Sequence, residues 1–345
     1  MDAAVAESCI SERTIMPQND KRNAKRRTRA ERRAEEEARL KEQAAQAEHE
    51  RKQQTLIGAI VVLVVVALVA VIGVTVYRNT HPSSTSTSSG AASPSSVAAA
   101  KKAMNAVKTK PSKANSTGGF LFSKNGYNKT ISDAPTIALY MDPICPGCGS
   151  MHRQIDSTLA SMFNAGQVNL EFHLMTSRDA SSSDNYSSRA ANAAVYIVEH
   201  DDNPEHLLKY IENIYDENFQ PDEADSYVPV SNKKLQEQAE KAGVSTAVAF
   251  KAFSNTYTAW LKASDTYTSM RPELENVSGN YAGYMTTPTV TINGTYLDLV
   301  KVGQYNMSIK DAILTSIGLK ENQVGKIGVM PSIGSGKPKA IDTGK

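Results

Sequence analysis

The amino-acid sequence predicts an α/β domain that follows a single transmembrane helix. Residues 56–77 form a run of 22 residues without a charge, and about 20 apolar residues span a bilayer core. Residues 135–175 read as a strand, an amphipathic helix and an alternating strand, and strand signals return at residues 289–299 after a long helical section. The chain therefore combines a membrane anchor with one sizeable α/β domain.

The first 55 residues are predicted to be a charged cytoplasmic tail. They contain 13 Lys or Arg and 11 Asp or Glu residues without an apolar stripe, and such charge runs are usually solvated. Four Lys or Arg residues lie between positions 39 and 52, whereas only Arg78 lies between the apolar run and Lys101. Because cytoplasmic flanks carry the excess of positive charge, we expect the N-terminus inside the cell and the domain outside it.

Residues 56–77 are interpreted as an uncleaved signal anchor, which gives a single-pass protein of the cell membrane. A cleaved signal peptide has a short positive lead and a small-residue cleavage site. Here the lead is 55 residues long, and the apolar run is followed by Arg-Asn-Thr-His at residues 78–81. Cleavage is therefore disfavoured.

Two segments are predicted to be flexible. Residues 78–117 form a linker, because residues 79–96 are almost entirely Ser, Thr, Pro, Gly and Ala, a composition typical of flexible spacers. Within the linker, a short helix capped by Ser96 is expected to end before Pro111. Residues 326–345 are rich in Gly, Lys, Ser and Pro and are expected to form a flexible tail.

The folded domain is predicted over residues 118–325. Its most informative element is the almost wholly apolar run 135–141, which is typical of a buried central strand. The other expected elements are a strand at 118–123, a helix at 149–164, a strand at 168–175, an insertion over about 180–275 with helices at 186–199, 204–217, 232–242 and 246–263, a hairpin at 289–299, and a helix at 308–319.

Charge is distributed unevenly along the chain. From residue 119 onward there are 19 basic and 25 acidic residues, whereas residues 78–118 contain six basic residues and no acidic one. An acidic globular part argues against nucleic-acid binding. A basic flank is typical of a segment close to an anionic membrane surface.

Two of the three cysteines lie in the stretch 142–152, which reads DPICPGCGSMH. Cys145 and Cys148 fit half of a zinc site, a structural clip or a redox-active dithiol. A structural zinc ion needs four ligands and the sequence has no second cysteine pair, while a disulfide across two residues closes too small a loop to stabilise a fold strongly. The redox dithiol is favoured, with no metal or other cofactor, because disulfides persist outside the cytoplasm. Cys9 is expected to be an incidental cytoplasmic thiol.

Cys145 is predicted to stand where the helix after the central strand begins. The unpaired N–H groups and the dipole of a helix N-terminus stabilise a thiolate and lower its pKa. Pro146 suits the first helical position because it lacks an N–H group. Cys148 lies one turn deeper, where it can resolve a mixed disulfide formed by Cys145. The expected catalytic pair is therefore the redox-active disulfide Cys145–Cys148.

The strand followed by CPxC and a helix, the helical insertion and the segment 285–290 (MTTPTV) together resemble the thioredoxin superfamily, specifically its DsbA-like members. The resemblance covers about residues 118–322 and implies a thioredoxin-like fold with a large helical insertion. In that family a Thr or Val followed by a cis-proline faces the dithiol, and Thr287-Pro288 matches this pattern. A plain strand-start proline is the alternative for Pro288.

Two positions depart from the family pattern. DsbA-like oxidases often carry a histidine before the second cysteine, where this chain has Gly147. Gly147 and Pro146 are still expected to support the site, but the resemblance then implies a milder oxidant. A buried acid is frequent six residues before the first cysteine, where this chain has Leu139.

Another group must therefore accept the proton of Cys148. His152 and His173 are possible acceptors, although an ordinary half-buried structural histidine is the favoured interpretation of each. Asp142 is either a turn residue before a proline or a charge that disfavours the thiolate of Cys145. These alternatives remain open at the level of sequence.

The chain is predicted to be an extracytoplasmic thiol-disulfide oxidoreductase that introduces disulfides into secreted proteins. The expected partners are unfolded secreted or cell-surface proteins with cysteines and, as the resemblance implies, a membrane quinone-coupled thiol oxidase for reoxidation. The alternatives are a membrane-tethered disulfide reductase, for example in cytochrome maturation, and a non-enzymatic substrate-binding module that keeps the fold. Tyr281, Tyr284 and Met285 are candidates for an apolar substrate groove, with core packing as the alternative.

Overall fold

The computed structural model describes residues 92–341, so the predicted cytoplasmic tail and membrane span lie outside the described residues. Between residues 92 and 341, none of the helices has the length and apolar character needed to cross a bilayer. The elements are α1 (Pro94–Ala106), β1 (Phe120–Ser123), β2 (Gly126–Tyr127), β3 (Thr136–Met141), α2 (Pro146–Ala165), β4 (Asn169–Leu174), α3 (Tyr186–His200), α4 (Pro204–Ile214), α5 (Asn232–Lys241), α6 (Thr246–Lys251), α7 (Thr258–Ser269), β5 (Thr289–Ile292), β6 (Thr295–Tyr296), α8 (Leu299–Gln304) and α9 (Ile309–Ile317).

One mixed sheet, in the order β2-β1-β4-β3-β5-β6, forms the centre of the described structure. β3 and β4 are parallel, whereas β5 runs antiparallel to β3. A parallel pair needs a long crossover connection, and α2 supplies it. Five of the six residues of β3 are buried, which explains the apolar run that predicted this strand. The predicted α/β fold with a helical insertion is confirmed.

The long helix α2 is fixed against the sheet along one face. Met151, Ile155, Leu159 and Met162 recur at three- or four-residue spacing, and each exposes 1% of its surface or less. Burial of a side chain of this size stabilises the fold by roughly 1.5–3 kcal/mol. The helix ends at Gly166, whose left-handed φ of 73° lets its N–H close the last turn. This packing holds the N-terminus of α2 in place.

Helices α3 to α7 lie between β4 and β5, where the insertion was expected. The prediction of one helix over 246–263 is wrong, because the chain breaks between α6 and α7. Asn192, buried on α3, stabilises this break: its Nδ2 donates to the carbonyl of Ala252 at 2.9 Å, and its Oδ1 accepts from the N–H of Tyr257 at 2.8 Å. A buried amide on a neighbouring helix thus overrides the helical pattern.

The structure differs from the predicted linker at its C-terminal end. Helix α1 is capped by Ser93 rather than by Ser96, because the hydroxyl of Ser93 accepts from the N–H of Ser96 at 3.3 Å. Ala100 and Met104 on this helix are buried, and α1 packs against α7. The folded domain therefore begins before residue 118.

Residues 326–341 also differ from the expected flexible tail. The side chain of Gln167 is fully buried, and its Nε2 donates to the carbonyls of Gln323 at 2.9 Å and Val329 at 2.8 Å. Ile333 packs against the core. These contacts join backbone groups to distant side chains, so composition alone does not predict them.

Candidate active site

The two cysteines of the CPGC sequence stand at the N-terminus of α2. Cys145 is the N-cap residue and Pro146 is the first helical residue, as predicted. Cys148 lies one turn deeper and is fully buried, whereas Cys145 exposes 4% of its surface. Both are free thiols in this structure. Both thiols are therefore buried, Cys148 completely and Cys145 with a small exposed surface.

The environment separates the pKa values of the two thiols. A hydrogen bond from the thiol of Cys148, contacts with Thr287, the backbone N–H of Cys148 and the charge of Arg178 together lower the pKa of Cys145 to about 6, against the opposing effect of burial. Burial, and then the adjacent Cys145 sulfur, raise the pKa of Cys148 well above its ordinary value. Cys145 is therefore the thiol that ionises at neutral pH, and the thiolate is the nucleophile in disulfide exchange.

The segment before β5 forms the opposing wall of the site. The Thr287–Pro288 peptide bond is cis, which confirms the prediction. The Sγ of Cys145 donates to the carbonyl of Thr287 at 3.4 Å. A methyl group added at Gly147 would lie 3.1 Å from Cδ of Pro288 and 3.7 Å from Sγ of Cys145. The CPGC sequence and the Thr287–Pro288 segment thus meet in the structure, although about 140 residues separate them in the chain.

Asp142 contributes a buried carboxyl group behind the dithiol, and sequence reasoning left its role open. The residue directly follows β3 and has no exposed surface. Its Oδ1 accepts from the N–H of Ile144 at 3.3 Å and from the hydroxyl of Ser187, and its Oδ2 accepts from the N–H of Arg178 at 2.9 Å. The only feature of the sequence that could have indicated this role is the position of Asp142, a single charged residue at the end of the apolar strand β3.

The position of Asp142 gives it a chemical link to Cys148. Its backbone N–H donates to Sγ of Cys148 at 3.5 Å. Burial raises the pKa of the Asp142 carboxyl to about 7, although hydrogen bonds from Ser187 and Arg178 oppose the increase. The charge of this carboxyl in turn contributes to the raised pKa of Cys148. Asp142 is thus able to exchange a proton near neutral pH.

The two candidate histidines have other partners. The ring of His152 stacks on Tyr215 at a centroid distance of 4.2 Å, and its Nδ1 bonds to Asp156 at 2.7 Å. The ring of His173 stacks on Tyr140 at 4.1 Å, and burial lowers its pKa. These contacts agree with structural roles for both rings, but the expected half-buried position is wrong, because His152 and His173 expose 0% and 1% of their surfaces. In the described part of the chain, no group of three or more His, Cys, Asp or Glu side chains is arranged to hold a metal ion.

A short loop before the Thr287–Pro288 segment carries exposed aromatic side chains. Tyr281 and Tyr284 expose 64% and 58% of their surfaces. The buried amide of Asn276 holds the loop, because its Nδ2 donates to the carbonyl of Tyr284 at 2.8 Å. Met285, by contrast, packs against the buried side chains of a small cluster that includes Tyr140. Of the three groove candidates, the two tyrosines are thus exposed and Met285 is partly buried.

A family model described as thioredoxin matches residues 131–311, which are 181 of the 345 residues. The chain belongs to the thioredoxin family. It is also 36% identical over 94 residues to the serine/threonine-protein kinase PknE of Mycobacterium tuberculosis, a match that covers 27% of this chain and 16% of that protein. The chain therefore spans about a sixth of the length of the curated relatives it matches.

The solved structures that this chain matches include two from M. tuberculosis and one from Actinomyces oris. Oxidised DsbA of M. tuberculosis is 23% identical with a TM-score of 0.41, and the match covers 54% of this chain and 90% of that chain. Reduced DsbG of M. tuberculosis is 22% identical with a TM-score of 0.41, covering 62% and 92%. The thiol-disulfide oxidoreductase MdbA of A. oris is 17% identical with a TM-score of 0.42, covering 59% and 89%.

The family and the site agree on one enzyme class. The family match extends over β3, the CPGC sequence, the insertion and the Thr287–Pro288 segment. The geometry places the two thiols at a helix N-terminus beside that segment. The prediction that the chain is a thiol-disulfide oxidoreductase is confirmed.

Proposed function

We propose that the chain is a membrane-anchored, extracytoplasmic oxidase that introduces disulfides into secreted proteins through Cys145 and Cys148. The observation that carries the proposal is the position of Cys145 as the N-cap of α2 with Cys148 buried one turn deeper, an arrangement that gives Cys145 a low pKa and Cys148 a high one. Only the reduced protein can ionise Cys145, so a low pKa stabilises the reduced form. A protein with a stabilised reduced form takes electrons from its substrates.

The size of this effect follows from the pKa of Cys145. A fall from the ordinary value of 9.0 to about 6 stabilises the reduced form about tenfold at pH 7, because most of the thiol is then ionised. For a two-electron couple, a tenfold change corresponds to about 30 mV. The expected protein is therefore a moderate oxidant, which agrees with the milder character that Gly147 implied.

The proposed reaction starts from the oxidised pair. A substrate thiolate attacks Sγ of Cys145, the disulfide between the two cysteines breaks, and Cys148 leaves as a thiolate. A second thiolate of the same substrate then attacks the substrate sulfur of the mixed disulfide and releases the thiolate of Cys145. Two electrons pass from the substrate sulfurs to the protein, and the substrate gains one disulfide.

Asp142 has the properties needed to supply the proton that Cys148 takes up. The Cys148 thiolate is buried, so it must be protonated as it leaves. Asp142 is partly protonated at neutral pH because its pKa is about 7, and its backbone contacts the same sulfur. Asp142 therefore replaces the buried acid that is frequent six residues before the first cysteine in DsbA-like proteins, where this chain has Leu139.

The carbonyl of Thr287 lies beside the sulfur of Cys145, and the exposed Tyr281 and Tyr284 precede it in the chain by six and three residues. An extended peptide is able to donate a backbone hydrogen bond to that carbonyl. Aromatic side chains contribute apolar contact without a requirement for one sequence. This surface fits unfolded proteins with cysteines as substrates, and we propose a membrane quinone-coupled thiol oxidase as the partner that reoxidises the pair.

The reduction potential tests the direction of the reaction. We expect glutathione redox buffers to give a value above that of thioredoxin, about −270 mV, and below that of DsbA, about −120 mV. Wild-type protein should also oxidise a reduced, unfolded protein with two cysteines, whereas a Cys145→Ser variant should not. A potential near the thioredoxin value would instead favour the membrane-tethered reductase.

The location is tested with a membrane-impermeant maleimide on intact cells. The positive charges before residue 56 support an external domain, so Cys145 should react in a Cys9→Ser variant after mild reduction. Cys9 in a Cys145→Ser, Cys148→Ser variant should react only after the cells are lysed. The opposite pattern would place the domain in the cytoplasm and contradict the proposed location.

A further inference from the structure

A loop of the helical insertion makes three contacts with residues around the dithiol. We define it as residues 215–223, which follow α4. At its start, Nη1 of Arg153 on α2 donates to the carbonyl of Tyr215 at 3.0 Å. At its end, the carboxylate of Glu223 pairs with the guanidinium of Arg178. The loop is therefore fixed to α2 and to the turn after β4.

Gln220 makes the contact between this loop and the reactive residue. Its Nε2 donates to the carbonyl of Pro143 at 3.1 Å and to the carbonyl of Cys145 at 3.0 Å. Its Oε1 accepts from Nη1 of Arg153 at 3.2 Å. One amide group thus binds two carbonyls of the turn from which the Cys145 sulfur projects, 75 residues away in sequence.

The contact has an electrostatic consequence. The oxygen of a carbonyl is the negative end of a dipole, so an unpaired carbonyl beside a thiolate disfavours the charge. The carbonyl of Cys145 also accepts from the N–H of Gly149 at 3.1 Å. The amide of Gln220 adds a second donor there and a donor at Pro143, which offsets part of these dipoles, and interactions that favour the charged form lower a pKa. Arg178, held by Glu223, adds a positive charge that lowers the pKa of Cys145 further.

Gly149 provides an independent sign that this contact is built into the site. A methyl group added at Gly149 would lie 1.9 Å from Oε1 of Gln220 and 2.7 Å from Nη1 of Arg153. A glycine inside a helix is less favourable than an alanine. Gln220 occupies the space that a side chain at position 149 would need.

We infer that Gln220 is a positioning residue that holds the turn at Pro143 and Cys145 in the arrangement that makes the dithiol oxidising, and so connects the helical insertion to the redox chemistry. The inference rests on the proposed exchange at Cys145. The insertion then does more than cover the sheet, because one of its side chains adjusts the redox equilibrium of the dithiol. The same loop forms one wall of a cavity of about 400 Å³ that Pro146 also lines.

Gln220→Met tests the inference, because methionine keeps the length of the side chain and removes both donors. We expect the pKa of Cys145, followed through the ultraviolet absorbance of the thiolate, to rise by about one unit. A rise from about 6 to about 7 lowers the equilibrium constant for reduction by glutathione at pH 7 about fivefold, or about 20 mV. Gln220→Glu should give a larger rise, since it adds a negative charge to the loss of the donors.

Gln236→Met is the matched control, because Gln236 lies on α5 of the same insertion and bonds to Glu240. In Gln236→Met, the pKa of Cys145 and the equilibrium constant for reduction by glutathione should equal those of the wild type. Gly149→Ala is a second test, since the added methyl displaces Gln220 without changing it, and the pKa of Cys145 should again rise. Urea unfolding of each variant separates these effects from a loss of the fold.

The outcomes separate the inference from the proposed function. If wild-type protein exchanges thiols and Gln220→Met matches both wild type and Gln236→Met, the positioning role is overturned. Unchanged values in Gly149→Ala would overturn it as well, even where Gln220→Met is too unstable to measure. If the wild type itself fails to exchange thiols, the proposed function fails first.

Discussion

Replacement of Asp142 by asparagine should make the stability of the reduced protein less dependent on pH. The carboxyl of Asp142 has no exposed surface, and burial raises its pKa from 3.8 to about 7. A raised carboxyl pKa means that the folded state binds the proton more tightly than the unfolded state. Between about pH 4 and 7 the unfolded state is therefore the one that loses the proton, and the free energy of unfolding falls as pH rises.

The magnitude follows from the two pKa values. Between pH 5 and pH 8, the difference between 3.8 and about 7 corresponds to a loss of about 2.5 kcal/mol for the wild type, at about 1.4 kcal/mol per pKa unit. Asparagine does not ionise, so the variant lacks this contribution. It also places an N–H₂ group where the carboxylate accepts from Ser187 and Arg178, which makes it less stable at low pH.

Urea unfolding of the reduced proteins at several pH values measures this effect. The free energy of unfolding of the wild type, relative to that of Asp142→Asn, should decrease by about 2.5 kcal/mol from pH 5 to pH 8. Other titrating groups, such as the buried Asp265, are present in both proteins and cancel in the difference. Parallel curves for the two proteins would refute a buried carboxyl that titrates near neutral pH.

Three further substitutions test separate parts of the account. Cys148→Ala should raise the pKa of Cys145, because the hydrogen bond from the Cys148 thiol is the largest cause of its low value. Cys148→Ser keeps a donor and should raise this pKa less. Equal Cys145 pKa values for the two variants in a thiolate titration would contradict this cause. Gly147→His should lower the pKa of Cys145 and raise the reduction potential, since a methyl group at position 147 would lie 3.7 Å from Sγ of Cys145 and an imidazolium favours a thiolate. An unchanged potential in glutathione buffer would contradict this prediction. Gln167→Ala should reduce the free energy of unfolding by about 2–3 kcal/mol, because it removes a buried amide and the donor for two part-buried carbonyls. It should also speed proteolysis near residue 326; unchanged urea curves would show that residues 326–341 contribute little.

The sequence was sufficient for the parts of the site that follow from local pattern. The apolar run of β3 and the helix beginning at Pro146 each have a local physical cause, so the central fold was predictable. The approach of Thr287 and Pro288 to the dithiol was predicted through the resemblance to the DsbA-like family. The predicted membrane span and cytoplasmic tail lie outside the described residues and stay predictions.

The remaining features depend on contacts between distant segments. No local pattern shows that Gln220 reaches the carbonyl of Cys145, or that Asn192 stabilises a break between α6 and α7. Asp142 reads as an ordinary turn residue until the helices of the insertion bury it. The packed segment 326–341 has the composition of a flexible tail, because its contacts with the side chain of Gln167 use backbone carbonyls. Amino-acid composition does not predict such contacts between distant residues.

The rate at which Cys145 is alkylated as a function of pH tests the central claim most directly. The reduced wild-type protein should react with iodoacetamide at a rate that is half-maximal near pH 6, the pKa of this thiol, while Cys148 stays protected. Cys145→Ser should remove this fast phase. A midpoint at or above about 8.5, the value of a free cysteine, would contradict an activated thiolate at the N-terminus of α2 and the exchange reaction built on it.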